Sequence, residues 1–343
     1  MQYSDVYKKM FIISAALILI AVGVIFFTIQ NTGDFVHKGV SLSGGVSAST
    51  TLQEQVGAST LENNLRNDFP QADFAVRTLQ VSTGYGYVVE ASNLAADEQE
   101  AARTLEEYLN NNYQVSDISV ETTGPALGDA FFIQTKLGIL LAFLWMGWVV
   151  YLYFGRRLWL KFAIALLALI CTGLVTTGAL DGNLGLAILF AIVMANMILY
   201  LFISVPSGAI ILAAASTIVF TVAAINLLGV RLSTAGVAAF LMIIGYSVDT
   251  DILLSTRVLK AGTTDLTIEQ RLWGAFKTGM TMQVTTMIAV TTALIFATNE
   301  VVTQIMLILL IGLIGDIIFT WFQNAGIIYW YVERMKKKGV RVA

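Results

Sequence analysis

Long apolar runs separated by short polar segments dominate the chain and predict eight membrane-spanning helices. Each run can cross about 30 Å of hydrocarbon at about 1.5 Å per helical residue. Lys8 and Lys9 precede the first run, and no small-x-small cleavage site follows it, so we expect an uncleaved signal anchor in residues 1–30. The predicted spans cover residues 10–29, 133–154, 159–180, 184–204, 206–229, 232–255, 281–298 and 303–331.

The long polar region, residues 31–130, predicts a separate folded domain. Its predicted order of strands and helices is β-α-β-β-α-β, which is the ferredoxin-like α+β fold. That fold occurs with many functions and does not name one. The predicted strands are Val40–Thr51, Phe74–Val81, Tyr85–Ala91 and Val115–Thr122, the helices are Ser59–Phe69 and Asp97–Tyr113, and a turn falls at Thr83–Gly84.

Composition agrees with a membrane protein, because 57% of the residues are hydrophobic and only 13% are charged. One Cys and one His cannot build a disulfide framework or a His/Cys metal site. We find no glycine-rich phosphate loop and no basic patch for nucleic acid, so we expect no nucleotide cofactor and no nucleic-acid partner. The fold class we predict is an α-helical membrane bundle with one α+β domain.

The distribution of Lys and Arg predicts the orientation in the membrane. With eight spans, 14 of these residues fall on one side and 6 on the other, 4 of them in the polar domain. We therefore expect a multi-pass protein of the cell membrane with both termini in the cytoplasm and residues 31–130 outside. Residues 336–343 would form a basic cytoplasmic tail.

The sixth predicted span carries two acids, Asp249 and Asp251. In a helix from Ser233 to Arg257, Asp249 lies about 24 Å from one end and about 12 Å from the other. A charge at that depth costs about 2.5–3.5 kcal/mol, so it normally faces protein and serves a function, although a purely structural role is an alternative.

Two residues on a helix are about 200° apart, so Asp249 and Asp251 point to nearly opposite faces. Asp249 shares its face with Gly245 and Tyr246 and is our first choice for ion coupling. Asp251 is the second choice, with Arg257 or Ser255 as possible local partners.

A third acid, Asp316, lies in the last predicted span and raises the alternative of an intramembrane aspartyl protease. Such an enzyme needs Tyr-Asp on one helix and Gly-x-Gly-Asp on another. Tyr246 lies three residues before Asp249, and Leu313 and Ile314 precede Gly315-Asp316, so that Leu313 stands where the first glycine is required; neither spacing fits, and we predict that the chain is not an enzyme. Between spans six and seven, residues 260–281 have the periodicity of an amphipathic helix on the membrane surface or packed against the bundle, with capping-box spacing at Thr267 and Gln270.

These residues resemble the SecF family of protein-export membrane proteins in its archaeal form. Gly245–Leu259, GYSVDTDILLSTRVL, resembles the family signature, and Thr278–Thr286 resembles the start of its next span, including Thr285 and Thr286. Gly39–Gly45, with Gly39, Gly44 and Gly45, resembles the family's segment at the start of the external domain, and Gly124-Pro125 the segment at its end.

The resemblance implies an accessory role in the late step of protein export that is driven by an ion gradient, such as the proton motive force. It implies an RND-transporter-like membrane fold, a SecD-like partner subunit, a SecYE-type translocon channel, exported polypeptides as substrates, and membrane lipid around the bundle. A stand-alone RND-type exporter of small molecules is the rival interpretation. The single external domain of about 100 residues is unlike the two large external regions usual in such exporters.

Three departures from the family pattern stand out. Aligned on Arg257, bacterial members have Asn-Asp where this chain has Asp249-Thr250. Either Asp249 or Asp251 therefore has the role of the bacterial Asp. In the segment Gly39–Gly45, Ser41 stands where the family has an Asp, and we expect the contact made by that Asp to be missing. The family normally has six spans, so we predict a two-span insertion within residues 131–204 and a SecF-like core in residues 205–335.

Overall fold

The structure, a computed structural model, describes residues 3–79, 81, 84–95, 97–180, 182–259 and 266–338. Helices in chain order are α1 (Tyr3–Thr32), α2 (Val40–Ser43), α3 (Ala58–Asp68), α4 (Glu98–Asn112), α5 (Pro125–Phe154), α6 (Leu158–Thr176), α7 (Gly182–Ile203), α8 (Val205–Leu227), α9 (Thr234–Leu259), α10 (Ile268–Phe296), α11 (Glu300–Ile318) and α12 (Ala325–Lys337). A π-helical turn, Phe319–Asn324, joins α11 to α12. The strands are β1 (Gly45–Leu52), β2 (Asp73–Leu79), β3 (Tyr85–Ser92) and β4 (Val115–Thr123).

The predicted eight spans are confirmed: within the described residues, eight helical segments are long and apolar enough to cross a membrane. The last of these is continuous from Glu300 to Lys337 through the π-helical turn. Helix α8 lies in the middle of the bundle and packs against α1, α5, α7, α9 and α11. Small residues allow this, since Ala209, Ala213 and Ala214 are fully buried along it.

The ferredoxin-like domain is also confirmed. Its sheet has the order β2-β3-β1-β4, and every neighbouring pair of strands is antiparallel. Helices α3 and α4 cover one face of the sheet with leucines spaced four residues apart. The core that results contains Leu61, Leu65, Phe74, Leu105 and Leu109, all fully buried.

The predicted first strand, Val40–Thr51, is wrong in its first part, because Val40–Ser43 is one helical turn and the strand begins at Gly45. Gly44 and Gly45 have φ values of +82° and +127°, which favour glycine and turn the chain sharply into the sheet. A Cβ atom at Gly44 would lie 2.6 Å from the Cα atom of Pro125, so the segments that enter and leave the domain cross here. The predicted turn at Thr83–Gly84 lies partly outside the described residues.

Two further boundaries differ from the prediction. Helix α5 begins at Pro125, so the last residues assigned to the α+β domain belong to the second span. The amphipathic segment is not a separate surface helix, because Ile268–Phe296 is one helix whose first turns carry that periodicity; residues 260–265 lie outside the described part. The capping box is confirmed, with hydrogen bonds in both directions between Thr267 and Gln270.

Helices α9 and α11 pack closely along their length. At Gly312 a Cβ atom would lie 2.3 Å from Cδ1 of Ile243, and at Gly236 one would lie 2.9 Å from Cδ1 of Ile308. This packing brings the polar residues of the two helices together. Helices α6 and α7, which lie in the region of the predicted insertion (residues 131–204), pack on α5 around Cys171 and Leu189 instead.

Candidate ion-coupling site

A buried polar cluster lies among α9, α10, α11 and the π-helical turn, toward the end of the bundle opposite the α+β domain. Asp251 on α9 is 0% exposed and Asp316 on α11 is 1% exposed. They lie 17 and 16 residues from the starts of their helices, which places both about 25 Å from the end that carries the α+β domain. We call this group the carboxylate cluster; it comprises Ser247, Asp251, Gln283, Asp316, Thr320 and Asn324.

Neutral donors hold the two carboxylates in place. Asn324 Nδ2 donates to Asp251 Oδ1 at 2.7 Å. Gln283 Nε2 donates to Asp316 Oδ2 at 2.6 Å, and Thr320 Oγ1 donates to Asp316 Oδ1 at 3.3 Å. The Gln283 amide is itself oriented, because the indole Nε1 of Trp321 can only donate and does so to Gln283 Oε1 at 3.0 Å.

Several oxygen atoms beside the carboxylates have no hydrogen-bond partner in the described structure. They are Asp251 Oδ2, Asn324 Oδ1, Gln323 Oε1 and Ser255 Oγ. Buried polar atoms normally have partners, and unpaired ones at one place call for an explanation. Every one of these atoms can accept a hydrogen bond or contact a cation.

The charge of the cluster is not balanced by the protein. Among the described residues, no Lys, Arg or His forms an ion pair with Asp251 or Asp316. Two ionised carboxylates buried together would be very costly, both from desolvation and from mutual repulsion. The cluster therefore needs a proton or another small cation to be stable in this packing.

The π-helical turn explains how three side chains of one helix reach the cluster. Single π-helical turns inside α-helices are rare and are often found at functional sites. Here the turn begins three residues after Asp316 and contains Thr320, Trp321 and Asn324, each of which bonds to a member of the cluster.

Asp249 lies outside this cluster. It is on the exposed face of α9 with Gly245 and Tyr246, and the Tyr246 side chain is 41% exposed. A Cβ atom at Gly245 would meet nothing within 4 Å, and Gly245, Tyr246 and Asp249 are all exposed among the residues that the structure describes. Asp249 and Asp251 do point to opposite faces, but only Asp251 is brought to Asp316.

The other predicted site residues lie around the cluster without joining it. Arg257 does not pair with Asp251, because its Nη1 donates to the Gly274 carbonyl and to Thr278 Oγ1 on α10, both at 2.9 Å. Thr285 is exposed and Thr286 half-buried, and each hydroxyl donates to a carbonyl of its own helix. Ser255 is buried but makes no bond to Asp251.

Sequence reasoning missed Gln283, Trp321 and Asn324. Gln283 could have been found from the sequence, since it lies inside the segment Thr278–Thr286 that resembles the family. It also continues the buried stripe of α10 from Leu272 through Gly279. A Cβ atom at Gly279 would lie 2.5 Å from the Trp321 ring, so the glycine makes room for that tryptophan. Asn324 had no comparable signal, because its position depends on the π-helical turn.

The glycines at the start of the α+β domain serve packing. Gly39 lies against the Glu90 carboxylate and the Leu232 carbonyl, where a Cβ atom would come within 3.0 and 3.2 Å. Ser41 Oγ accepts a hydrogen bond from the Thr234 backbone N–H at the start of α9. The expected loss of the contact made by the family's Asp stays a prediction.

Comparison with known proteins places the chain in a family. Residues 179–334 match the family described as protein export membrane protein SecD/SecF, C-terminal. The protein-export membrane protein SecF of Methanocaldococcus jannaschii is 30% identical over 97% of this chain and 99% of its own length. The chain belongs to the SecF family. The matched region 179–334 contains Asp249, Asp251 and Asp316.

Two further matches agree. The SecF protein of Methanothermobacter thermautotrophicus is 50% identical over 134 residues, which are 38% of this chain and 46% of that protein. The crystal structure of SecDF from Thermus thermophilus, described as a translocon-associated membrane protein, has a TM-score of 0.63 and 17% sequence identity. It covers 97% of this chain, while this chain spans only 39% of SecDF, so the likeness concerns the fold.

Proposed function

We propose that this SecF-family chain is an accessory subunit of Sec protein export and that an ion gradient drives its step. The observation that carries the proposal is the carboxylate cluster, in which Asp251 and Asp316 are buried and form no ion pair with any Lys, Arg or His that the structure describes. Intramembrane acids of this kind mark ion pathways more often than they serve packing alone.

The geometry suggests how an ion would act. With a proton or Na⁺ bound, the cluster is close to neutral and the packing of α9 against α11 is stable. Release of the ion leaves a buried charge, which favours a different arrangement of the two helices or entry of water. Because the α+β domain is attached to the other ends of α9 and α11, it would move with them and act on an emerging polypeptide.

We further propose the cell membrane as its location, with both termini in the cytoplasm and residues 31–130 outside. The excess of Lys and Arg, 14 residues against 6, supports this orientation. The proposed partners are a SecD-like subunit, a SecYE-type channel and the exported chain. Family membership does not favour the stand-alone exporter of small molecules.

The face of α9 that carries Asp249 is the proposed contact with the SecD-like subunit. An acid exposed to hydrocarbon at this depth costs about 2.5–3.5 kcal/mol, so another protein surface should cover it. Tyr246 and Gly245 beside it form a shallow face that a neighbouring helix can approach. Asp249→Ala is expected to weaken co-purification of the SecD-like subunit in mild detergent, whereas Asp251→Asn is not.

Export into reconstituted vesicles, with and without an ion gradient, tests the proposed function. Asp251→Asn and Asp316→Asn mimic a permanently neutral cluster with little change in volume, and we expect each to fold and to lose the stimulation by the gradient. Asp249→Asn is the matched control on the opposite face of α9 and should keep it once the partner is shown to be bound. If Asp249→Asn loses the stimulation and Asp251→Asn keeps it, the assignment of the coupling pair is wrong.

A further inference from the structure

A second group of charges lies where the α+β domain meets the bundle. Arg77 Nη2 on β2 lies 3.0 Å from Glu90 Oε1 on β3 and 2.7 Å from Glu300 Oε1 at the start of α11. Arg231, just before α9, lies 2.8 Å from Asp73 Oδ2 on β2. We call these five residues the domain-joint cluster.

The backbone is joined at the same place. Lys38 and Leu232 form a parallel bridge, in which Gly39 N donates to Leu232 O at 2.8 Å and Leu232 N donates to His37 O at 2.7 Å. On the bundle side, Gln304 of α11 donates through Nε2 to the Arg231 carbonyl and accepts from Ser233 Oγ. The start of α9, the start of α11 and the segment entering the domain are therefore tied together.

Within the domain-joint cluster, the contact between Arg77 and Glu300 joins the domain to α11 and is able to open. Arg77 and Glu90 lie on adjacent strands of one sheet, and Glu90 is only 3% exposed, so their contact is fixed by the domain. Glu300 belongs to the bundle and is 26% exposed in its side chain, so water can replace Arg77 there. A shift of α11 relative to α9 would separate Arg77 from Glu300 and leave the domain itself intact.

We propose that Arg77 and Glu300 are positioning residues that fix the orientation of the α+β domain relative to α11. A movement of α11 would then change the orientation of the domain. The link from that movement to ion binding rests on the proposed function above, since α11 carries Asp316 about 24 Å further along the helix. The contact between Arg77 and Glu300 does not depend on the proposed function.

Distances between spin labels in the full-length protein test the joint directly. Labels at Asn110 on α4 and Leu228 after α8, both exposed, would report the domain's position in a Cys171→Ala background. Glu300→Gln removes the bundle's side of the contact at a half-buried site, and we expect a broader distance distribution with a new, separate population. Arg77→Lys should give a smaller broadening, because one ammonium cannot keep both carboxylate contacts as well as a guanidinium does.

The matched control is Glu62→Gln, which breaks the Glu62–Arg66 ion pair inside the α+β domain and should leave the distribution unchanged. An unchanged distribution in both Glu300→Gln and Arg77→Lys would overturn the proposal. Because the labels report orientation without export or a gradient, that result would leave the proposed function standing. A changed distribution together with unaffected gradient-driven export would instead overturn the link from joint to function.

Discussion

Two groups of acids lie at opposite ends of α9 and α11, and they differ in what balances their charge. In the domain-joint cluster, Arg77 and Arg231 pair with Glu90, Glu300 and Asp73. In the carboxylate cluster, Asp251 and Asp316 bond only to amides and hydroxyls. A guanidinium is permanently charged, so the cations of the first group are fixed, whereas the second group needs a cation that can bind and leave.

The largest expected effect comes from giving the carboxylate cluster a fixed cation. Gln283→Lys would place an ammonium beside Asp316 and make this cluster resemble the other one. We expect a folded protein whose export, assayed in reconstituted vesicles, no longer responds to the ion gradient.

Gln283→Met is the control for this substitution, since it removes the hydrogen bond without adding charge. It should lower the free energy of unfolding by about 1.5–3 kcal/mol, the range for a lost bond to a charged group, while keeping a response to the gradient. A Gln283→Lys protein that still responds fully would contradict the contrast between the two clusters.

The next effect comes from removing the fixed cation from the domain-joint cluster. Arg77→Met leaves the buried Glu90 carboxylate unpaired and is expected to cost about 3–5 kcal/mol in unfolding of the α+β domain. Glu62→Gln, which breaks only the exposed pair with Arg66 in the same domain, should cost about 0–1 kcal/mol. Chemical unfolding of the purified proteins measures both, and equal losses would show that burial does not distinguish the two pairs.

A smaller effect concerns pH. Burial raises the pKa of Glu90 above its ordinary value, although Arg77 and Arg231 act in the opposite direction. Between the ordinary and the raised pKa the folded state holds a proton that the unfolded state has lost, so stability falls as pH rises through that window and is constant above it.

Glu90→Gln should remove this slope, because the amide does not titrate. Unfolding measured at several pH values tests it. A wild-type slope of the opposite sign, with stability rising across the window, would mean that the arginines outweigh burial.

The smallest effects are expected on the exposed side of α10. Thr285→Val and Thr286→Val remove hydroxyls that bond only within their own helix, so each should change stability by less than about 0.5 kcal/mol and leave gradient-driven export intact. A strong export defect in either variant, with normal co-purification of the SecD-like subunit, would place part of the ion path outside the carboxylate cluster.

The sequence predicted the spans and the ferredoxin-like domain because their patterns repeat every 3.6 or 2 residues over many positions. It also placed Asp249 and Asp251 on opposite faces of α9. Which face is buried was not predictable, since both contain apolar residues and the outcome depends on where α11 packs. The first choice, Asp249, lies on the face of α9 that is exposed in the described part of the chain.

The partners of the acids were harder to predict than the acids themselves. Asn324 and Thr320 reach the cluster through a π-helical turn that has no periodicity of its own. The joint with the α+β domain was also missed, because Arg77 and Glu300 are 223 residues apart in the chain. Only the packed structure brings such residues together.

Infrared difference spectroscopy of the carboxyl groups, on the full-length protein in lipid membranes, tests the central claim most directly. Titration with protons, or with Na⁺ at constant pH, should produce carboxyl bands from Asp251 and Asp316. We expect these bands to be lost in the Asp251→Asn/Asp316→Asn double variant and kept in Asp249→Asn. Bands that persist unchanged in the double variant, or the absence of any carboxyl response to either ion in the wild-type protein, would contradict the account.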